Sequence, residues 1–166
     1  MNAAYYINHL QLQPHPEGGF FKETYRASES IPTDVLPLRF AGALNYSTAI
    51  YYLLQEGDFS AFHRIQSDEC WHFYAGEPLL IHVIEEDGRY YCITLGDDIA
   101  AGETFQYVVP ATAWFASEPA PGSAFTLAGC TVAPGFDFND FEMADRQTLL
   151  AAYPQHRDVI NRLTRK

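Results

Sequence analysis

The chain has 166 residues, 48% of them hydrophobic and 19% charged, which suits one domain with a sizeable core and is too apolar for a disordered segment. Ten Lys and Arg against 21 Asp and Glu leave a net charge of −11, which repels phosphate backbones and anionic lipid heads and argues against nucleic-acid or membrane partners. No apolar run nears the roughly 20 residues of a membrane-spanning helix. The first residues lack a signal-peptide pattern, and Cys70, Cys92 and Cys130 form no CxxC pair, so reduced thiols and a cytoplasmic location are expected.

In chain order, Ala3 to Leu12 carries Tyr6, Ile7 and Leu10 at helical spacing and reads as a short helix ending before Pro14 and Pro16. His15-Pro16-Glu17-Gly18-Gly19 is a turn by composition, and Phe20 to Arg26 alternates as a strand. Ala27 to Leu38 reads as a loop. Strands are then expected at Arg39–Asn45, Thr48–Gln55, Phe59–Ile65, Cys70–Ala75, Pro78–Ile84, Arg89–Leu95, Thr104–Val109, Ala113–Ala116 and Ser123–Val132. Their richness in Tyr and Phe favours a pleated, half-buried surface, and Asp87-Gly88 marks a hairpin. Two helices, Phe141–Tyr153 and Gln155–Leu163, follow, separated by the Tyr153-Pro154 break. No repeat or linker divides the chain, so one domain spans 1–166.

The chemistry concentrates between Gly57 and Gly76. Along a strand, residues two apart share a face, which puts Phe59, Ala61, His63 and Ile65 together on an interior side. After the Gln66-Ser67-Asp68 turn, Glu69, Trp71 and Phe73 share one face and Cys70, His72 and Tyr74 the other. A hairpin brings His63 near Glu69 if both point inwards. Such a pair can act as a general base held in one tautomer, can contribute to a divalent metal site, or can be a buried hydrogen bond that only stabilises the sheet.

Gly57, five residues, His63, then Glu69, six residues, Gly76 resembles the first motif of the cupin superfamily, whose second histidine is replaced by Ile65. Pro110-Ala111-Thr112-Ala113-Trp114-Phe115 stands where that superfamily's second motif has Pro-x-Gly-x-x-His, with Thr112 for the glycine and Phe115 for the histidine. The longer segments His15–Arg26, Ser67–Gly76 and Gly129–Phe138 are similar to cupin type five, a short single-domain group of unknown function. The resemblance runs from Leu12 to Pro154. It implies an all-β jelly-roll (double-stranded β-helix) barrel with short flanking helices and a homodimer, and it implies no established reaction.

Metal-binding cupins use three histidines and a glutamate, of which His63 and Glu69 are present, so no metal cofactor is expected to be obligatory. A degenerate metal site of His63, Glu69 and His72 would need a bulge to turn His72 inwards, and His82 has no spacing support. The resemblance to metal-free cupin isomerases of nucleotide-linked deoxysugars implies His63 as base and a tyrosine as proton donor, with Tyr51, Tyr74 and Tyr91 all open, and Glu69, as the neighbouring carboxylate, is expected to orient His63. Glu23 shares a face with Phe21 and Tyr25 and reads either as a second interior carboxylate, a catalytic proton-shuttling partner at the pocket, or as a rim residue paired with Lys or Arg. Expected ligand contacts are Tyr51, Trp71, Phe73 and Phe115, with Arg26 as a cation for an anionic group and Lys22, Arg39 and Arg64 as the other basic residues before position 89. The function expected is an isomerase or epimerase on a carbohydrate-like or nucleotide-sugar ligand. The alternatives are a non-catalytic small-ligand binding module and the degenerate metal enzyme.

Overall fold

A computed structural model describes residues 1–165. The chain runs α1 (Ala3–Leu10), β1 (Gln13–Pro14), β2 (Phe20–Arg26), β3 (Ser30–Ile31), β4 (Leu44–Asn45), β5 (Thr48–Gln55), β6 (Ser60–Arg64) and β7 (Asp68–Gly76). It continues β8 (Leu79–Ile84), β9 (Tyr90–Leu95), β10 (Gln106–Val109), β11 (Trp114–Pro119), β12 (Phe125–Ala133), β13 (Glu142–Met143), α2 (Arg146–Ala152) and α3 (Arg157–Arg162).

The strands form a six-stranded sheet, ordered β1-β2-β5-β12-β7-β10, and a five-stranded sheet, ordered β13-β6-β11-β8-β9, with β3-β4 as a small separate ladder. The pairings within both large sheets are antiparallel. Their inner faces share one core, in which Tyr52, Leu54, Trp71 and Cys130 of the first sheet meet Ile81, Val83 and Phe115 of the second. The closed barrel implied by the resemblance is not present among the described residues: the ladders end at the edges β1, β10, β13 and β9.

Helices cover the outer faces. α1 is capped by the Asn2 side chain, which accepts from the Tyr5 N–H, and it stops at Gln11 in the left-handed conformation, φ 56°. Its Tyr6, Ile7 and Leu10 pack on Leu53, Phe125 and Leu127. On the other side, Leu149 of α2 and Ile160 of α3, with Leu163, bury against Phe62, Ile84 and Ala116, worth about 2 kcal/mol per fully buried aliphatic side chain. Among the described residues no helix is long and apolar enough to cross a membrane.

Two expectations fail locally. Arg39–Asn45 pairs only through Leu44 and Asn45. The Phe40 N–H turns back to the Pro37 carbonyl and the Ala41 N–H is taken by Asp140, so little of the segment's backbone is left for a ladder. The helix placed at Phe141 begins at Arg146, where Asp145 caps the Thr148 N–H. Glu142 and Met143 instead pair with Arg64 and His63 and cover the edge of β6.

Candidate active site

On β6, Phe62 faces the C-terminal helices while Ala61 and His63 point inwards, as alternation requires. The His63 ring is buried between Phe115, 4.1 Å away between ring centroids, and Phe141, at 5.3 Å. Its Nδ1 lies 2.7 Å from the Ala61 carbonyl, an acceptor only, so Nδ1 carries a hydrogen and donates it. Nε2 is therefore the lone-pair nitrogen of the neutral ring. It faces Glu17 Oε2 at 3.1 Å. A hydrogen bond across that distance needs one proton, carried either by the Glu17 carboxyl or by an imidazolium.

Glu17 reaches His63 because the turn before β2 is folded back on β6. The Gly18 N–H donates to the His15 carbonyl, the His15 N–H to the Gly19 carbonyl, and the Ala61 N–H to the Glu17 carbonyl. Gly18 and Gly19 both have positive φ, 121° and 70°, and a Cβ on Gly18 would stand 2.1 Å from the Phe59 carbonyl oxygen. Arg165 adds a clamp: its Nη2 donates to the Glu17 and Phe59 carbonyls, and its guanidinium lies over the Phe59 ring. His15 lies beside the pair, its Nδ1 accepting the Glu17 N–H at 3.2 Å.

Burial sets the charge state. It pushes the Glu17 carboxyl up, against the pull of His15. It lowers His63 to about 4, against the Ala61 carbonyl, so both observations favour a neutral ring hydrogen-bonded by a protonated acid. Burial also lowers His15, opposed by Glu17. Glu69, on β7 opposite Val109 and Val132, rises to about 8 through burial and then the charge of Glu17, tempered by the Cys130 thiol.

These groups line one cavity of about 250 Å³, together with Phe21, Glu23, Arg26, Ile50, Ile65, Cys130 and Phe136–Phe138. At its mouth Arg26 and Glu23 form a two-pronged ion pair, with Nε to Oε1 at 2.9 Å and Nη2 to Oε2 at 2.8 Å.

His63, Glu69, Glu23 and Arg26 thus meet at one cavity. The orienting role assigned to Glu69 needs correcting, because Glu17 is the acid that touches His63. Parity reasoning missed Glu17 because alternation has no meaning in a turn. The available signal was an acid followed directly by two glycines, a geometry that lets backbone press close to a neighbour. Glu23 is the rim residue of the two readings, 40% exposed and paired with Arg26.

Other expected contacts lie elsewhere. Trp71 is enclosed in the core, edge-on to Tyr52, and Phe73 packs against the same cluster. Phe115 backs His63 rather than opening on the cavity. Tyr51 lies on the outer side with Tyr74, and Tyr91 donates to Glu85. Lys22 reaches Gln11, Arg39 the Gln66 carbonyl, and Arg64 pairs with Glu142. His82 is held by Tyr90 and Glu118 near α3.

The set His63, Glu69 and His72 does not converge on one point. His72 has the outward parity and bonds Thr131 and Gln106 there. Ile65 lines the cavity at the second histidine position. Among the described residues no group of three or more His, Cys, Asp or Glu could hold a metal ion.

Two facing antiparallel sheets around an interior histidine–carboxyl pair define a cupin-type domain. The chain belongs to the cupin superfamily, in the family DUF985, whose sequence profile matches residues 4–144. It is 33% identical over 143 residues to the uncharacterized protein YML079W of Saccharomyces cerevisiae, covering 81% of this chain and 71% of that one. A hypothetical protein from Leishmania major superimposes with a TM-score of 0.90 at 34% identity, over 100% of both chains. Protein SO0799 from Shewanella oneidensis gives 0.89 at 39% identity, over 99% of this chain and 98% of that one. Oxalate decarboxylase from Bacillus subtilis shares the fold alone, with a TM-score of 0.54 at 14% identity over 90% of this chain and 36% of that enzyme.

Proposed function

We propose that the cavity binds a small carbohydrate-like molecule and that the Glu17–His63 pair moves a proton on it, making the protein an isomerase or epimerase with no step routed through a metal. The carrying observation is the one-proton link between Glu17 Oε2 and His63 Nε2 at the cavity wall, with Nδ1 locked on Ala61. In this reading Glu17 Oε1 takes a proton from the carbon beside a ligand carbonyl while the Oε2 proton passes to His63 Nε2. The products are an enolate and an imidazolium. Glu69, still protonated at neutral pH, donates a hydrogen bond to the developing oxyanion. Return of the proton to the former carbonyl carbon, as the adjacent hydroxyl proton passes to the oxyanion, completes an isomerisation; an epimerisation instead takes its proton from water on the opposite face, and the Glu17–His63 pair releases its own proton to water.

The test is exchange of the carbon-bound hydrogen in D2O over a panel of aldoses, ketoses and nucleotide-linked sugars. His63→Asn should lower the exchange rate by about 10²- to 10⁴-fold while ligand affinity stays within a few-fold. Unchanged exchange in the variant would remove His63 from the reaction. Binding without any exchange in the wild type would favour the second reading, a non-catalytic binding module, which the engagement of both His63 nitrogens inside the protein also supports. We extend the proposal to a jelly-roll arrangement of the two sheets and to a cytoplasmic homodimer. The three unpaired cysteines are in keeping with a reducing compartment.

A further inference from the structure

We infer that the cavity selects an uncharged, hydroxyl- or carbonyl-bearing molecule of about single-sugar size and turns away phosphorylated and nucleotide-linked ligands, because Arg26 is already saturated. This narrows the small-molecule reading above and rests on it. Arg26 is the one Lys or Arg among the cavity-lining residues described, against the acids Glu17, Glu23, Glu69 and Asp137. A guanidinium has five N–H groups, and here five contacts meet them. Nε and Nη2 go to Glu23, Nη1 goes to Asn45 Oδ1 at 2.8 Å, and Nη1 and Nη2 each reach the Phe136 carbonyl at 3.1 Å. A phosphate would have to displace Glu23 and would still face Asp137, whose charge also acts on Arg26.

Deeper in, the acids offer no compensation for an anion. Burial pushes both Glu17 and Glu69 up, Glu69 to about 8, so the inner acids present carboxyl donors and acceptors and no cation to an entering group. That suits hydroxyl and carbonyl groups. The volume of about 250 Å³ lies below the roughly 300 Å³ at which pockets for drug-sized ligands begin, and Phe21, Phe136 and Phe138 supply apolar walls for a ring.

The test has two arms, both read on the His63 ring signals by NMR and by calorimetry on the full chain. In the first, inorganic phosphate is titrated into wild type, Glu23→Gln and the double variant Glu23→Gln/Arg26→Gln. Glu23→Gln frees at least one guanidinium N–H, removes the charge paired with Arg26 and should bind phosphate at least about tenfold more tightly than wild type, and the double variant should lose that gain. Equal phosphate affinity in wild type and Glu23→Gln would overturn the inference. In the second arm, D-glucose and D-fructose are compared with their 6-phosphates and with UDP-glucose. Free sugars perturbing His63 while the phosphorylated forms do not is the expected result. Tighter binding of the phosphorylated forms overturns the selectivity but leaves the small-molecule reading intact. If no sugar of either kind perturbs His63 while Glu23→Gln gains phosphate, the exclusion of anions stands and the sugar assignment falls.

Discussion

Burial displaces His63 and Glu69 in opposite directions, and the displacements leave a signature in stability. His63 falls from 6.5 to about 4, so the unfolded chain binds the extra proton and stability declines as pH drops through that interval. Glu69 rises from 4.5 to about 8, so the folded chain holds the extra proton and stability declines as pH climbs from 4.5 towards 8. Between about 4.5 and 6.5 the two slopes cancel; above 6.5 only the carboxyl contribution remains, with Glu17 acting in the same sense. Raising pH from 6.5 to 8 should cost the wild type about 2 kcal/mol through Glu69, measured by urea unfolding. Glu69→Gln should remove that share, and an unchanged slope in the variant would place the titration elsewhere. At a second residue, Thr112 replaces the glycine of a motif and holds φ at 68°, which a β-branched side chain adopts only under strain. Thr112→Gly should raise stability by about 1 kcal/mol, read from the urea midpoint. The replacement of that glycine was visible in the sequence, its strained φ only in the structure, and Glu17 was hidden because its position is set by contacts across the fold.

At the level of elements, the site depends on a turn pressed against a strand. Gly18→Ala puts a methyl group 2.1 Å from the Phe59 carbonyl oxygen at a positive φ, so the turn must lift from β6. The expected loss is about 1–3 kcal/mol, together with a His63 ring titrating nearer its ordinary value as water enters beside it, followed by NMR. A stability loss with His63 unmoved would show that the turn does not position Glu17. Long alternating strands were legible: Thr48–Gln55 has the same limits in sequence and structure. Short pairings were not. Glu142 and Met143 form a strand only because β6 offers them an edge, a condition no local pattern reveals. Arg39–Asn45 had strand composition, but only Leu44 and Asn45 pair, while the N–H groups of Phe40 and Ala41 go to a turn carbonyl and a side chain.

For the molecule as a whole, the order of the longer strands and the presence of helices at both ends followed from periodicity and turn chemistry, while the short strands β1, β3 and β13 and the division into two open sheets depend on pairings between distant segments. The cavity followed only partly: alternation turned His63 and Glu69 inwards, but which acid reaches the histidine was decided by the glycine turn and the Arg165 clamp. One contact chain through the core has a practical consequence. Phe115 touches His63 on one side and lies edge-on to Trp71 on the other, at 6.4 Å between ring centroids. Trp71 is sealed from solvent with its indole N–H unpartnered, whereas Trp114 lies beneath Arg64 and partly in water. The two indoles therefore differ in emission colour, and the bluer one forms a built-in fluorescent gauge of what fills the hollow beside His63, with no dye or label attached.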